Sequence, residues 1–166
     1  PCAPFGSLFL NRFDCTIPPP GKFNIFFSHP PPRRHRRVTV GDSRDISPAW
    51  SPDGTRLAFS SDRDTNDAEI FVYDLATEGM NVVTANWVFD YTPVWVDDAR
   101  IVYTSARDGG ITLYMSRADG TGERHLTPDF FWSAMASSLG DGRILFSGQL
   151  RLGDAVQIFM LDVDTG

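Results

Sequence analysis

Residues 47–64 read Ser-Pro-Ala-Trp-Ser-Pro-Asp-Gly-Thr-Arg-Leu-Ala-Phe-Ser-Ser-Asp-Arg-Asp, and parts of this stretch recur along the chain. Pro48-Ala49-Trp50 is followed 45 residues later by Pro93-Val94-Trp95. The apolar segment Arg56–Ser61 returns as 100–105 and again as 143–147, at offsets of 44 and 43. One period kept at separate points predicts an array of similar structural units.

Two further segments keep the same period. Ile70–Asp74 has counterparts in Leu113–Met115 and Ile158–Asp162, and Val83-Thr84 recurs as Leu126-Thr127. The repeating unit is therefore about 44 residues long.

The beginning of the chain carries a degenerate copy of this unit. Shifted by 45 residues, Asn24–Phe27 falls on Glu69–Val72, and Val38-Thr39 falls on Val83-Thr84. Only the hydrophobic pattern matches there, and Ser7–Asn11 is predicted as an earlier strand of the same copy.

The clearest unit predicts four short strands, which are 49–51, 56–60, 70–75 and 81–84. Ser51-Pro52-Asp53-Gly54 between the first two is typical of a tight turn, because Pro presets φ and Gly adopts a left-handed backbone. No segment keeps the 3.6-residue apolar period of a helix. Strands such as 57–59 and 70–73 are apolar on both faces, so each sheet needs a neighbour above and below.

These observations predict an all-β fold, a β-propeller of four-stranded antiparallel blades. A β-sandwich is the alternative, but it does not account for the strict repeat. The predicted units are a degenerate partial blade 1–40, blades 41–84 and 85–127, and a partial blade 128–166, all within one propeller domain. Because a propeller needs about four to eight blades to close, we expect the 166 residues to be a fragment of one.

The composition favours the same fold class. The chain has 18 Asp against 3 Glu, with 14 Gly and 12 Pro, which indicates many turns and few helices. The net charge of −6 disfavours nucleic acid as a partner. No apolar run is long enough to span a membrane, and no signal peptide is expected within this stretch.

Residues 47–64 closely resemble the TolB-type propeller repeat, a WD-like repeat of bacterial envelope proteins. The residues that match this repeat in the first two full units are Pro48, Trp50, Asp53, Gly54, Ser61, Asp62, Arg63, Pro93, Trp95, Ser105, Arg107 and Asp108. The second unit departs from the pattern at Val96–Ala99, which lacks Pro-Asp-Gly, and at Ala106. The third unit lacks the Trp and has Ser147-Gly148-Gln149 in place of Ser-Asp-Arg.

The resemblance implies a non-catalytic, extracytoplasmic scaffold of the bacterial periplasm or a secreted protein, without a cofactor. The implied partner is another protein, with a peptide or polysaccharide ligand as a further option. Two alternatives remain open. One is the propeller of a prolyl-oligopeptidase-like peptidase, gating a hydrolase domain absent from this chain. The other is an oligogalacturonate-lyase-like propeller. The complete reading frame on both sides would discriminate among them.

Aromatic clusters precede two of the predicted innermost strands. They are Trp87, Phe89, Tyr91, Phe130, Phe131 and Trp132. Loops at this position open at one end of a propeller axis, so we expect a contact surface there; packing beneath the loops is the alternative. Trp50 and Trp95 are expected to be core wedges between blades rather than a sugar-stacking platform.

Other candidate sites are weaker. Asp62–Asp67 matches the first five positions of a calcium loop but lacks the Gly and the distal Glu, so we expect structural hydrogen bonds instead. The basic run Arg33–Arg37 is expected in the turn before an outer strand, as a solvated edge. A patch for anionic ligands is the alternative for this run.

Catalytic machinery does not assemble from the sequence. His29 and His35 lie in the degenerate stretch rich in Pro and Arg, and His125 has no suitably spaced partner. No nucleophile elbow is present. Cys2 and Cys15 fit no metal or redox spacing, and both a disulfide and two free thiols stay open.

Overall fold

A computed structural model describes residues 23–28, 35–65, 67–107 and 109–166. Every regular element in these residues is a β-strand. The strands are β1 Phe26–Ser28, β2 His35–Arg37, β3 Asp45–Trp50, β4 Arg56–Ser61, β5 Glu69–Asp74, β6 Met80–Val82, β7 Asp90–Trp95, β8 Arg100–Ser105, β9 Thr112–Arg117, β10 Arg124–His125, β11 Trp132–Ser138, β12 Arg143–Gln149 and β13 Gln157–Asp162.

The strands form four antiparallel sheets in chain order. Sheet I contains β1–β2, sheet II β3–β6, sheet III β7–β10 and sheet IV β11–β13. Sheets II and III each have four strands, which confirms the predicted all-β class with four-stranded antiparallel blades. The sheets of the described residues do not close into a ring. The unit boundaries at 40, 84 and 127 stay a prediction.

Sheet I repeats the outer half of sheet II. Phe26 lies opposite Arg37 as Phe71 lies opposite Val82, with an offset of 45 residues on both strands. A threonine follows the outer strand of each of the first three sheets. Its Oγ1 accepts a hydrogen bond from a backbone N–H in or just before the strand that pairs with the outer strand. These bonds run from Ile25 to Thr39 at 3.0 Å, from Ile70 to Thr84 at 2.8 Å and from Leu113 to Thr127 at 3.0 Å. The predicted strand at Ser7–Asn11 lies outside the described residues.

The innermost strands are longer than the sequence predicts. β3 begins at Asp45 rather than at Ala49, and its pairing with β4 shifts register between Ile46 and Ala49. Ser47 has φ 53°, and Thr92 and Met135 have φ 52° and 58° at the same point of β7 and β11. Proline has no N–H for a sheet ladder and indicates a strand end, but a bulge accommodates it within the strand. The predicted start of this strand was therefore wrong.

Apolar side chains fill the space between successive sheets. Ile25 and Val38 of the sheet I region pack on Leu57, Phe59 and Phe71 of sheet II. The next two layers lie between sheets II and III and between sheets III and IV. The fully buried residues of these layers are Ala58, Ile70, Val96, Ile101, Val102, Tyr103, Leu113, Ile144 and Val163. Alternate residues of one strand thus face opposite neighbours, as strands that are apolar on both faces require.

The repeated tryptophans lie on the innermost strands. Trp95 is 4% exposed, and its indole Nε1 donates to the carbonyl of Ala49 in the preceding sheet at 3.0 Å. The guanidinium of Arg56 lies 5.0 Å from the centre of the Trp95 ring. Trp50 is half-buried and stacks on Phe27 of sheet I at 4.8 Å between ring centres. The part of the chain that the structure describes has no helix with the length and hydropathy to cross a membrane.

Candidate interaction surface

The loop that leads into β7 presents aromatic side chains to solvent. Trp87 is 89% exposed, and Phe89 is 47% exposed. Tyr91, on β7 itself, is half-buried, and burial raises the pKa of its hydroxyl. A large apolar side chain so exposed next to a second one is uncommon outside contact surfaces.

Asn86 holds this loop in place through three hydrogen bonds. Its backbone N–H donates to Glu69 Oε1 at 2.8 Å, and its Nδ2 donates to Asp90 Oδ2 at 2.7 Å. Its Oδ1 accepts the N–H of Val88 at 2.9 Å. The residue just before Trp87 is therefore tied to two buried carboxylates, and Trp87 projects from a fixed turn.

Glu69 is the buried anchor beneath the loop. It is 2% exposed, and Thr84 donates to its Oε2 at 2.6 Å. Burial raises the pKa of the Glu69 carboxyl and outweighs the opposing hydrogen bonds from Thr84 and Asn86.

Arg107 completes the network on the other side of Asp90. It donates to Asp90 Oδ2 at 2.9 Å and forms an ion pair with Glu123. The hydroxyl of Tyr103 donates to Glu123 Oε2 at 2.7 Å, and burial together with this bond raises the pKa of Tyr103. The Arg107 guanidinium also lies 4.7 Å from the centre of the Tyr114 ring.

Sheet II contains the same arrangement one period earlier. Arg63 donates to Asp45 Oδ1 at 2.9 Å, and Ser61 donates to the same oxygen at 2.6 Å. The guanidinium of Arg63 lies 5.2 Å and 5.1 Å from the ring centres of Phe59 and Phe71. In both sheet II and sheet III an arginine thus pairs with a buried aspartate and lies against two aromatic rings.

Sheet IV replaces this ion pair with an aromatic cluster. The strand register places Ser133, Gly148 and Leu150 at the positions of Asp90, Ser105 and Arg107. The predicted match of Ser147-Gly148-Gln149 to Ser-Asp-Arg was therefore wrong by one residue. Phe130 packs edge-on against Phe146 and Phe159, with ring centres 5.2 Å and 4.8 Å away. These two rings are the counterparts of Tyr103 and Tyr114, on which Arg107 lies.

The side chains of the second aromatic loop, residues 130–132, therefore differ in burial. Phe130 is partly buried in the apolar layer between sheets III and IV, so it packs beneath the loop. Phe131 is 47% exposed, and Trp132 is half-buried at the start of β11.

Both loops enter equivalent strands of successive sheets. The N–H of Asp90 donates to the Ala68 carbonyl at 2.7 Å, and that of Ser133 donates to the Ile111 carbonyl at 2.8 Å. These matching bonds fix the start of β7 and of β11 at the same end of the stacked sheets. Trp87, Phe89 and Phe131 are exposed aromatic residues of the two loops at this end, and we name these three the aromatic rim.

Comparison with known proteins agrees with this repeat geometry. Residues 21–166 match the family described as the TolB beta propeller domain. The chain belongs to this family. A TolB homolog of Chlorobium luteolum is 34% identical over 130 residues, which are 78% of this chain and 29% of that protein. The Tol-Pal system protein TolB of Alcanivorax borkumensis is 33% identical over 78 residues, 45% of this chain and 18% of that protein.

Solved TolB propellers share the fold. TolB from Acinetobacter baumannii superposes with a TM-score of 0.68 at 22% identity, over 80% of this chain and 33% of that one. The chain thus spans about a third or less of these TolB proteins. A puromycin-hydrolyzing peptidase of Mycobacterium tuberculosis, at a TM-score of 0.62, 18% identity and 86% and 27% coverage, shares the fold alone. So does an oligogalacturonate lyase in complex with manganese, at a TM-score of 0.62, 13% identity and 80% and 43% coverage.

The tight turn predicted at Ser51–Gly54 is present in the structure, and the Gly54 N–H donates to the Ser51 carbonyl at 2.9 Å. Ser51 Oγ donates to Asp53 Oδ1 at 2.6 Å, and Gly54 has φ 70°. Hydrogen bonds from Ser51 and Thr55 lower the pKa of Asp53 to about 2. The N–H of Asp53 donates to Asp98 of the next sheet at 2.9 Å, so the shortened turn 96–99 still receives a bond from the preceding sheet.

The remaining motif residues have structural surroundings. Asp62 accepts two hydrogen bonds from Arg44, from its backbone N–H and from Nε, both at 2.7 Å. Ser105 and Pro93 are buried. Asn66 and Asp108 lie outside the described residues, and no group of three or more acidic, His or Cys side chains suited to a metal occurs within them.

The basic run and the histidines take local roles. His35–Arg37 is the outer strand β2 itself, not the predicted turn, because it pairs directly with β1. Arg36 forms an ion pair with Glu78 of sheet II, and Arg37 donates to Asn24 Oδ1 at 2.8 Å. His125 stacks on Tyr114 at 4.3 Å and bonds to Thr112. Cys2, Cys15, His29, Arg33 and Arg34 lie outside the described residues.

The sequence did not single out four side chains that support this surface. Asn86, Glu69, Asp90 and Glu123 were not selected, although they fix the loop and neutralise Arg107. The sequence contains a pattern that indicates Asp90, because Asp45 occupies the same repeat position 45 residues earlier. Glu69 could have been noticed because it is an acidic residue at the start of the apolar strand β5.

Proposed function

We propose that the chain is a non-catalytic, extracytoplasmic scaffold that binds another protein of the bacterial envelope through the aromatic rim. The observation that carries the proposal is Trp87, 89% exposed on a loop that Asn86 ties to buried carboxylates. A loop that is already ordered loses little conformational entropy on binding, and exposed aromatic side chains are the usual anchors of protein interfaces.

The family supports the role as a scaffold. Members of the same family include a protein named for the Tol-Pal system, which points to an envelope partner for this chain as well. Fold likeness to the peptidase and the lyase carries no function, because one fold hosts many activities.

Site-specific photocrosslinking tests the contact surface. A photoreactive amino acid is placed at position 87 and, as a matched control, at position 139. Leu139 is 46% exposed and follows β11, at the opposite end of sheet IV from the loop into that strand. Each protein is irradiated with an envelope extract of Chlorobium luteolum, the source of the relative.

We expect a discrete, protease-sensitive adduct from position 87 that is absent from position 139. Phe89→Ala in the same protein should reduce this adduct severalfold, because Phe89 belongs to the same rim. Equal labelling from both positions, or an adduct that proteases leave intact, would show that the rim does not bind a protein.

A further inference from the structure

A cleft lies between sheets II and III, at the end of the sheets opposite to the aromatic rim. The loop of the rim bonds to Ala68, just before β5 begins, whereas the cleft lies beside Asp74, where β5 ends. Its volume of about 330 Å³ is at the lower end of the range for ligand pockets. Both sheets contribute to its lining, which includes Arg56, Val72, Asp74, Asn81, Ala118 and Asp119.

The cleft lies where the outer strand of sheet II has a shorter side chain than its neighbours. The strand register places Arg36, Asn81 and Arg124 at equivalent positions of β2, β6 and β10. Each of these side chains reaches the next sheet. Arg36 forms an ion pair there, Arg124 donates to the Val163 carbonyl, and Asn81 Nδ2 donates to the Ala118 carbonyl at 2.8 Å. Because asparagine is shorter than arginine, it makes the same contact but fills less of the space between the sheets.

A carboxylate of sheet III lines this cleft without the arginine that pairs with its counterpart in sheet IV. Asp119 and Asp164 are equivalent, because the residue before each donates its N–H to the carbonyl just before the second strand of its sheet. Asp164 forms an ion pair with Arg100 of the preceding sheet. Arg56 is the counterpart of Arg100, but it donates to the Asp98 carbonyl instead. Among the residues that the structure describes, no arginine forms an ion pair with Asp119.

Both carboxylates of the cleft keep one oxygen for a ligand. The backbone N–H and the hydroxyl of Thr77 donate to Asp74 Oδ1, and those of Thr121 donate to Asp119 Oδ1, at 2.7 to 2.9 Å. These bonds lower the pKa of both carboxyls, so both are ionised at neutral pH. The Oδ2 atoms accept no hydrogen bond from the described residues. The two carboxylates outnumber the one guanidinium of the lining, that of Arg56.

We propose that this cleft binds an arginine side chain of a partner protein. The chain itself contains such an arrangement, because Arg100 and Arg124 both reach residues 163–164 in the equivalent space between sheets III and IV. Two guanidinium groups thus fit beside one such turn. The methylene groups of the incoming arginine pack on Val72, and its planar guanidinium lies against the carboxylate of Asp119. The contact is separate from the aromatic rim.

Titration with a small probe, followed by nuclear magnetic resonance, tests the site in the 166-residue chain. The probe is N-acetyl-arginine amide, and N-acetyl-citrulline amide is its uncharged counterpart of similar shape. We expect the arginine probe to shift the methyl signals of Val72 and the side-chain amide signals of Asn81 until they saturate. The citrulline probe should shift neither set at the same concentrations.

Two aspartate variants test the role of charge. Asp119→Asn should raise the dissociation constant of the arginine probe about fivefold, the upper end for a solvent-accessible ion pair, while its Oδ1 still accepts the bonds of the turn. Asp64→Asn is the matched control and should bind like the wild type, because Asp64 is an exposed aspartate between β4 and β5, outside the cleft.

Asn81→Arg gives the outer strand of sheet II the residue that its neighbours have. This variant should lose the response to the arginine probe, because its own side chain then occupies the cleft. The proposal is overturned if the arginine probe causes no shifts, if the citrulline probe causes equal ones, or if Asp119→Asn binds like the wild type. Undiminished binding by Asn81→Arg with a native circular dichroism spectrum also overturns it. None of these results affects the crosslinks from position 87, so the two proposals fail independently.

Discussion

Gly148 lies directly under the ring of Phe130. A Cβ on Gly148 would stand 2.7 Å from Phe130 Cε1, closer than side chains approach without displacement. Sheets II and III carry Ser61 and Ser105 at this position, beside a buried aspartate–arginine pair. In sheet IV, the Phe130 ring thus takes the place of the aspartate–arginine pair, and the absence of a Cβ at Gly148 makes room for that ring.

Gly148→Ser should therefore destabilise the chain, although it restores the residue that the other two sheets have. Overpacking of this kind costs about 1–3 kcal/mol in the free energy of unfolding, measured by urea denaturation. The double variant with Phe130→Ala should lose less than the sum of the two single losses, because removal of the ring makes room for the serine. Additive losses would mean that Phe130 and residue 148 do not compete for space.

Trp95 should contribute more to stability than Trp50. Trp95→Ala is expected to lower the free energy of unfolding by about 3–5 kcal/mol, the range for a buried aromatic side chain. Trp50→Ala should cost clearly less, because Trp50 is half-buried. Trp95→Phe keeps one aromatic ring but removes the rest of the indole with its N–H, so it also loses the bond to the Ala49 carbonyl, which is worth about 1 kcal/mol. Equal losses for the two alanine variants would contradict the difference in burial.

The buried carboxyl of Glu69 should make stability depend on pH in a defined direction. Burial raises the pKa of Glu69 in the folded chain above its value of about 4.3 in the unfolded chain. In the pH window between these two pKa values, the folded chain therefore binds more protons than the unfolded chain. The stability that this effect contributes is fully present below the window and is lost as the pH rises through the folded-state pKa.

The measurement compares the wild type with Glu69→Gln, which cannot ionise. The free energy of unfolding of the wild type minus that of the variant should fall as the pH is raised from about 4 to 7. The subtraction removes the opposite trend of aspartates such as Asp53, whose pKa is lowered. A difference that rises with pH would mean that Arg107 dominates the environment of Glu69.

Several parts of the fold follow from the sequence because they are local. The turn at Ser51–Gly54 needs only a proline, an aspartate and a glycine in order, and its hydrogen bonds form within five residues. The 45-residue offset between residues 24–27 and 69–72 predicted strand β1 even though no motif residue is shared, whereas β2 was predicted as a turn. The sequence also predicted the two aromatic loops as a contact surface, but it did not predict which of their side chains are exposed and which pack inside. Phe130 packs partly buried beneath its loop because Gly148, eighteen residues later, leaves room for it.

The sequence by itself determined the repeat, the strand character and the need for each sheet to have a neighbour, since period, turn residues and two-sided apolar strands are properties of short segments. Only the tertiary structure decided which polar residues meet. Asp90 and Arg107 are 17 residues apart, and Glu69 reaches Asn86 from the preceding sheet. These contacts depend on how sheets stack, and stacking brings together side chains that no local pattern pairs. The exposure of Trp87 is likewise a property of the packed stack.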